Sequence, residues 1–128
     1  MVFDKRIENG QYARRPDILI RRDTYSIVIE CDENQHHRYD CENRRVMEIF
    51  SDLGNKPLIC IRFNPDSYIT EDDEKVSGCF GTTKKGSVTV KKIEWNKRIT
   101  KLLSILKECY ENPPEKELVI YKLFYDGF

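Results

Sequence analysis

Long apolar runs are missing from this 128-residue chain. Crossing a bilayer takes about 20 consecutive apolar residues. With no signal-like opening segment either, the expectation is a soluble, intracellular protein with no membrane partner. Paired cysteines are missing too. Cys31, Cys41, Cys60, Cys79 and Cys109 are odd in number, scattered, and form no CxxC, which speaks against a secreted disulfide framework and for reduced thiols. There is no excess charge of one sign, because 22 basic residues face 22 acidic ones. Attraction to a polyanion would have to come from a local basic surface. Internal repeats and low-complexity tracts are absent as well. What is present, including seven Tyr and six Phe, suits a single domain over residues 1–128 with a proper core.

The hydrophobic pattern divides the chain. Residues 1–16 are polar, with a turn signal at Asn9-Gly10. Pro16 holds Arg15 extended, and Asp17 opens a strand, DILIRR. A turn at Asp23-Thr24 leads into YSIVIEC, so residues 17–31 read as a hairpin. Val46, Ile49, Phe50 and Leu53 mark one face of a helix over roughly 40–53, closed by Gly54-Asn55. PLICIRF, 57–63, is a nearly unbroken apolar run, as in a central strand covered on both faces. Residues 64–90 are the least regular, with SVTV as a short strand. A second helix spans about 92–110, with Ile99, Leu102, Leu103, Leu106 and Tyr110 as its expected buried stripe. Pro113-Pro114 blocks it, and ELVIYKLFY, 117–125, reads as a last strand. The expected fold class is α/β: a three-layer domain with a sheet between helices.

One short segment is crowded with chemistry. Antiparallel pairing brings the start of the first hairpin strand beside the end of the second, which sets Asp17 near Glu30 and Asp32. Glu30 and Asp32 are two apart and share a face. Three carboxylates that close need neutralising, and a divalent cation such as Mg²⁺, with its preference for oxygen ligands, would do it. His36, four residues on, is placed to move a proton, and Asp40 to orient it. The set suits metal-assisted phosphodiester hydrolysis.

These residues carry a resemblance. RRPDI, then IVIECDENQHHRYD, then an arginine-bearing helix ending at Leu53-Gly54, then ICIRF, resembles the PD-(D/E)XK nuclease superfamily, in the branch related to very-short-patch-repair endonucleases. The likeness extends to proteins of large DNA viruses and some protists in which RRPD, DENQH, CEN-R, RFNPD and a terminal LFYD recur. It covers residues 3–68 well and the remainder loosely. It implies a restriction-endonuclease-like three-layer fold, a mixed β-sheet flanked by helices. It also implies Mg²⁺, with Mn²⁺ as an alternative, and double-stranded DNA as substrate. Asp17 and Asp32 would be the leading metal ligands, Glu30 a third carboxylate, His36 the acid/base and Asp40 its support. The motif's lysine is absent, with Asp32 in its place. Glu8 is the acid that would stand in for one from an N-terminal helix, and Glu33 replaces a glycine.

Candidate contacts to DNA are Arg14, Arg15, Gln35, Arg44, Arg45, Arg62, Lys84 and Lys85, with Lys91, Lys92, Lys97, Arg98 and Lys101 beyond them. Arg44 and Arg45 cannot share one helical direction, so one of them faces the site. Trp95 reads as a core anchor. Cutting both strands ordinarily needs two active sites, which makes a homodimer an option. Two other functions stay open. One is a catalytically inactive nuclease-fold domain that binds nucleic acid, marked by Arg or Lys filling the site. The other is a zinc protein using Cys31, His36, His37 and Cys41, whose spacing matches no standard zinc module.

Overall fold

The hairpin forms at the expected place. β2 (Ile18–Arg21) pairs antiparallel with β3 (Ser26–Cys31), Ile18 opposite Ile29 and Arg21 opposite Ser26. The coordinates are a computed structural model that describes residues 2–3, 7, 16–32 and 39–128. β1 (Val2–Phe3) adds to β2 antiparallel. Helix α1 (Tyr39–Asp52) carries the chain over to β4 (Leu58–Phe63), which lies parallel to β3. Helix α2 (Lys92–Glu111) leads to β9 (Leu118–Leu123), parallel to β4. The result is a mixed five-stranded sheet in the order β1-β2-β3-β4-β9, with two helices.

Period-2 alternation assigns the two faces. Leu19, Val28 and Leu58 pack with Ile49 of α1 and with Leu53, in the turn just after it. Ile27, Ile29, Ile59, Ile61 and Phe63 pack with Leu102, Ile105 and Cys109 of α2. β4 is buried along its whole length, as an apolar run covered by a helix on each face should be. Cys60, Cys79 and Cys109 are buried, and Cys31 is exposed.

Three expectations need correction. The buried stripe of α2 is Arg98, Leu102, Ile105 and Cys109, with Ile99 and Leu106 partly buried beside it. Leu103 and Tyr110 face outward. The stripe rotated because Arg98, which counts as polar in a hydropathy pattern, is fully buried. Residues 64–90 are also more ordered than their composition suggests. They fold as two small hairpins, β5 (Tyr68–Ile69) with β6 (Lys75–Val76), and β7 (Phe80–Thr82) with β8 (Val88–Val90). Trp95 is only half-buried, its ring tilted against Phe80.

Arg98 organises that excursion. Its guanidinium donates to the carbonyls of Asn64 and Asp66, both at 2.8 Å, and of Ser77 at 2.9 Å, and pairs with Glu94 at 2.7 Å. It also lies over the rings of Tyr68 and Phe124. A planar fork of fixed donors suits several backbone carbonyls at once.

Candidate functional site

The carboxylates gather at the C-terminal end of the parallel strands, on the face turned to α1. Residue 30 follows Val28 on that face, and the register sets Glu30 beside Arg62 of β4. Asp17 stands one residue before the β2–β3 ladder, across from Glu30, and its Oδ2 accepts the Cys31 backbone N–H at 2.7 Å. Asp32 extends the parallel pairing by one residue, its N–H donating to the Phe63 carbonyl.

Each acid has a specific partner. Arg45 reaches from α1 and donates to both Glu30 oxygens. Arg44, one residue earlier, points away and pairs with Glu48 along the helix surface, so Arg45 is the one that faces the site. Arg62 donates to Asp32 Oδ2 at 3.3 Å, with both side chains buried. The hydroxyl of Tyr125 donates to the same Oδ2 and receives the Arg62 Nε–H. Asp32, Arg62 and Tyr125 thus form one closed set.

Burial raises the Glu30 carboxyl above its usual range. Arg45 opposes this and the neighbouring charge of Asp17 adds to it. The Tyr125 hydroxyl is raised well above the ordinary phenol, first by burial and then by its bond to Asp32. Both groups therefore favour their protonated forms more than in water.

Tyr125 had one signal in the sequence, the terminal LFYD, but no spacing rule ties it to Asp32, 93 residues earlier. Its position depends on Asn64. That fully buried amide donates to the Phe124 carbonyl at 2.9 Å and accepts from the Asp66 N–H at 3.0 Å. Phe124 sits at φ +64, a left-handed turn that ends β9 and sends Tyr125 back over the sheet end.

Of the expected site residues, Asp17, Glu30, Asp32, Arg45 and Arg62 come together. Lys84 and Lys85 form the exposed turn of the β7–β8 hairpin. Asp40 lies in the first turn of α1. Arg14, Arg15, Gln35, His36 and His37, with Glu8 and Glu33, lie outside the described residues, and with them the acid/base assignment and the zinc set. Among the described residues no three His, Cys, Asp or Glu stand close enough to share one metal ion, and no helix is long and apolar enough to cross a membrane. No protein-family model, curated protein or solved structure matches the chain.

Proposed function

We propose that this chain is a restriction-endonuclease-like domain that hydrolyses phosphodiester bonds in DNA with a divalent cation, Mg²⁺ or Mn²⁺. The observation that carries this reading is the convergence of Asp17, Glu30 and Asp32 on one face at the end of the parallel strands, beside Arg62 and Arg45. The donor set fits Mg²⁺ in kind, being carboxylate oxygens. The fit in arrangement is partial: among the described residues no three acids stand close enough to share one ion, and Glu30 and Asp32 are each held by an arginine. When bound, the cation would lower the pKa of the attacking water, so that it gives up a proton to a nearby base as it attacks phosphorus. The chain's own residues have separate tasks. Asp17 and Asp32 are the ligands this reading assigns first. Glu30, paired with Arg45, is the third carboxylate of the set, and burial makes it take up a proton more readily than an ordinary carboxylate does. Arg62 and Arg45 are suited to face phosphate oxygens, for which a guanidinium has the matching fork. His36 remains the proposed acid/base, and double-stranded DNA the proposed substrate.

A second reading has its own observation. Arg45 on Glu30 and Arg62 on Asp32 neutralise two of the three acids from within the chain. A nuclease fold that kept its shape and bound nucleic acid without cutting it would be held together in this way.

One experiment separates the two. Supercoiled plasmid is incubated with wild type, Asp32→Ala and His36→Ala, in Mg²⁺ and then Mn²⁺. Metal-dependent nicking lost in both variants supports the nuclease. No cleavage by folded wild type, across DNA and RNA substrates, leaves the binding domain.

A further inference from the structure

Basic residues are unevenly spread along this neutral chain. Between Lys84 and Lys101 lie six lysines and Arg98, against a single acid, Glu94. Glu94 and Arg98 satisfy each other at 2.7 Å. Lys84, Lys85, Lys91, Lys92, Lys97 and Lys101 are all exposed, and none has an ion-pair partner among the described residues.

The fold turns this run into one surface. Lys84 and Lys85 cap the β7–β8 ribbon, in a turn closed by the Thr83 N–H to the Ser87 carbonyl at 2.8 Å, with Gly86 at φ +83. Lys91 leaves β8 and lies over Gly81, where an added Cβ would stand 3.4 Å from the lysine Cε. Along α2, Ile93, Lys97 and Lys101 follow at intervals of four, which aligns them in one row. That row runs beside the buried stripe, about a third of a turn round the helix from it. Val88, Val90 and Ile93 are exposed within the same surface, Ile93 at 89%.

The base of the ribbon is tied to the end of the sheet that carries the acids. The Lys91 N–H donates to the Cys79 carbonyl, and the Cys79 N–H to the Pro65 carbonyl. Pro65 is two residues past Phe63, whose carbonyl receives the Asp32 N–H. Arg98 fixes the same junction through Asn64 and Asp66. The other hairpin of the excursion has an acidic tip, Glu71 to Glu74, so the sign of the surface changes between the two ribbons.

We propose that the β7–β8 ribbon and the first turns of α2 are the platform on which a nucleic-acid duplex lies, its phosphates on these lysines. The inference deepens the nuclease reading and rests on it for the identity of the polyanion. Charge complementarity selects the occupant. Lysines spread along a ribbon and then a helix row follow a track of phosphates, and a two-stranded ribbon is of a size that a major groove accepts. An anionic lipid surface is the rival that exposed Ile93 and Val88 would suit.

The test is fluorescence anisotropy of a labelled mixed-sequence DNA duplex, in EDTA so that cleavage cannot intervene. Wild type is compared with Lys84→Glu/Lys85→Glu. The control is Lys56→Glu/Lys116→Glu, which makes the same change in net charge at the opposite end of the parallel strands. Lys84 and Lys85 lie in an exposed turn, and circular dichroism checks that all three proteins fold alike. The ribbon variant should bind at least about tenfold more weakly at low salt, with the slope of log K against log salt reduced by about two. The control should stay within about twofold of wild type. Three results overturn the platform: equal loss in both variants, unchanged binding in the ribbon variant, or no duplex binding by a wild type that sediments with phosphatidylserine vesicles. Its failure is distinct from that of the nuclease reading. Duplex binding lost in the ribbon variant without any Mg²⁺-dependent cleavage by wild type leaves the platform standing and removes the chemistry. Cleavage with unchanged binding in the ribbon variant does the reverse.

Discussion

Arg45 of α1 holds both oxygens of Glu30, at 3.1 and 3.3 Å. The pair pins the helix to the sheet end, and it keeps a carboxylate charged where burial disfavours the charge. Arg45→Ala should therefore destabilise the protein by roughly 2 kcal/mol at neutral pH. That is below the ~3–5 kcal/mol for breaking a fully buried pair, because the Arg45 side chain is 31% exposed. Urea unfolding followed by circular dichroism measures it. Repeated in acid, where Glu30 takes up a proton, the loss should shrink. A loss independent of pH would mean that Arg45 acts by packing alone.

Glu30 itself has a pH signature. Its folded-state pKa is raised above the usual carboxylate value, so the folded protein binds this proton more tightly than the unfolded chain does. The contribution is then most favourable in acid and declines as pH rises through the folded pKa. Glu30→Gln removes that decline. Relative to wild type, the variant should gain stability from about pH 4.5 upward, until Glu30 is fully ionised. Parallel stability–pH curves for the two proteins would count against the assignment.

Tyr125→Phe removes the hydroxyl that bridges Asp32 and Arg62 and leaves those two paired. A cost of about 1–2 kcal/mol is expected. Spectrophotometric titration gives a second readout. The Tyr125 phenol is raised above the usual value of 10, so the tyrosinate absorbance missing from the variant should come from the late part of the wild-type curve. If it comes from the early part, the hydroxyl is in water.

Arg98→Ala would strip three backbone carbonyls of their donor and leave Glu94 without its partner. A loss of about 3–5 kcal/mol is expected. Where the variant still folds, limited proteolysis should cut first within residues 64–91, and Arg98→Lys should restore only part of the protection, since an ammonium lacks the planar fork. Uniform cleavage along the chain would argue against a local anchor.

Gly78→Ala tests the seat of the same excursion. A Cβ there would lie 3.0 Å from Asp66 Cα and 3.1 Å from the Pro65 carbonyl oxygen. These are backbone atoms that can yield only by moving the loop, so a loss of about 1–3 kcal/mol is expected. Gly54→Ala meets no atom within 4 Å but keeps φ at +77, and should cost about 1 kcal/mol. Thermal melts of the two variants should rank them in that order.

The parts of the fold that could be read from the sequence are those with a local period. The hairpin around Asp23-Thr24, the α1 face from Val46 to Leu53 and the buried run of β4 depend on neighbours two to four residues away. The meeting of Asp17 with Glu30 followed from strand pairing alone, and the choice between Arg44 and Arg45 from helix geometry. What was not readable depends on single long-range polar contacts. Arg98 looks like one more surface cation until Asn64, Asp66 and Ser77 are seen around it. The two hairpins of the excursion carry too little apolar pattern to announce themselves, since their order comes from that guanidinium. Tyr125 belongs to the site only because Asn64 fixes the turn at Phe124.

The set of Asp32, Arg62 and Tyr125 has a consequence in time. Its members are 30 and 93 residues apart, and contacts between distant residues form after the intervening loops have closed. Asp32 and Arg62 can meet once β4 lies beside β3, but the phenol arrives only when β9 has joined β4 and its last turn has locked. A refolding chain would pass through a stage with a nearly complete sheet whose acid still lacks its hydroxyl. Completion of the site would then coincide with the final step of folding.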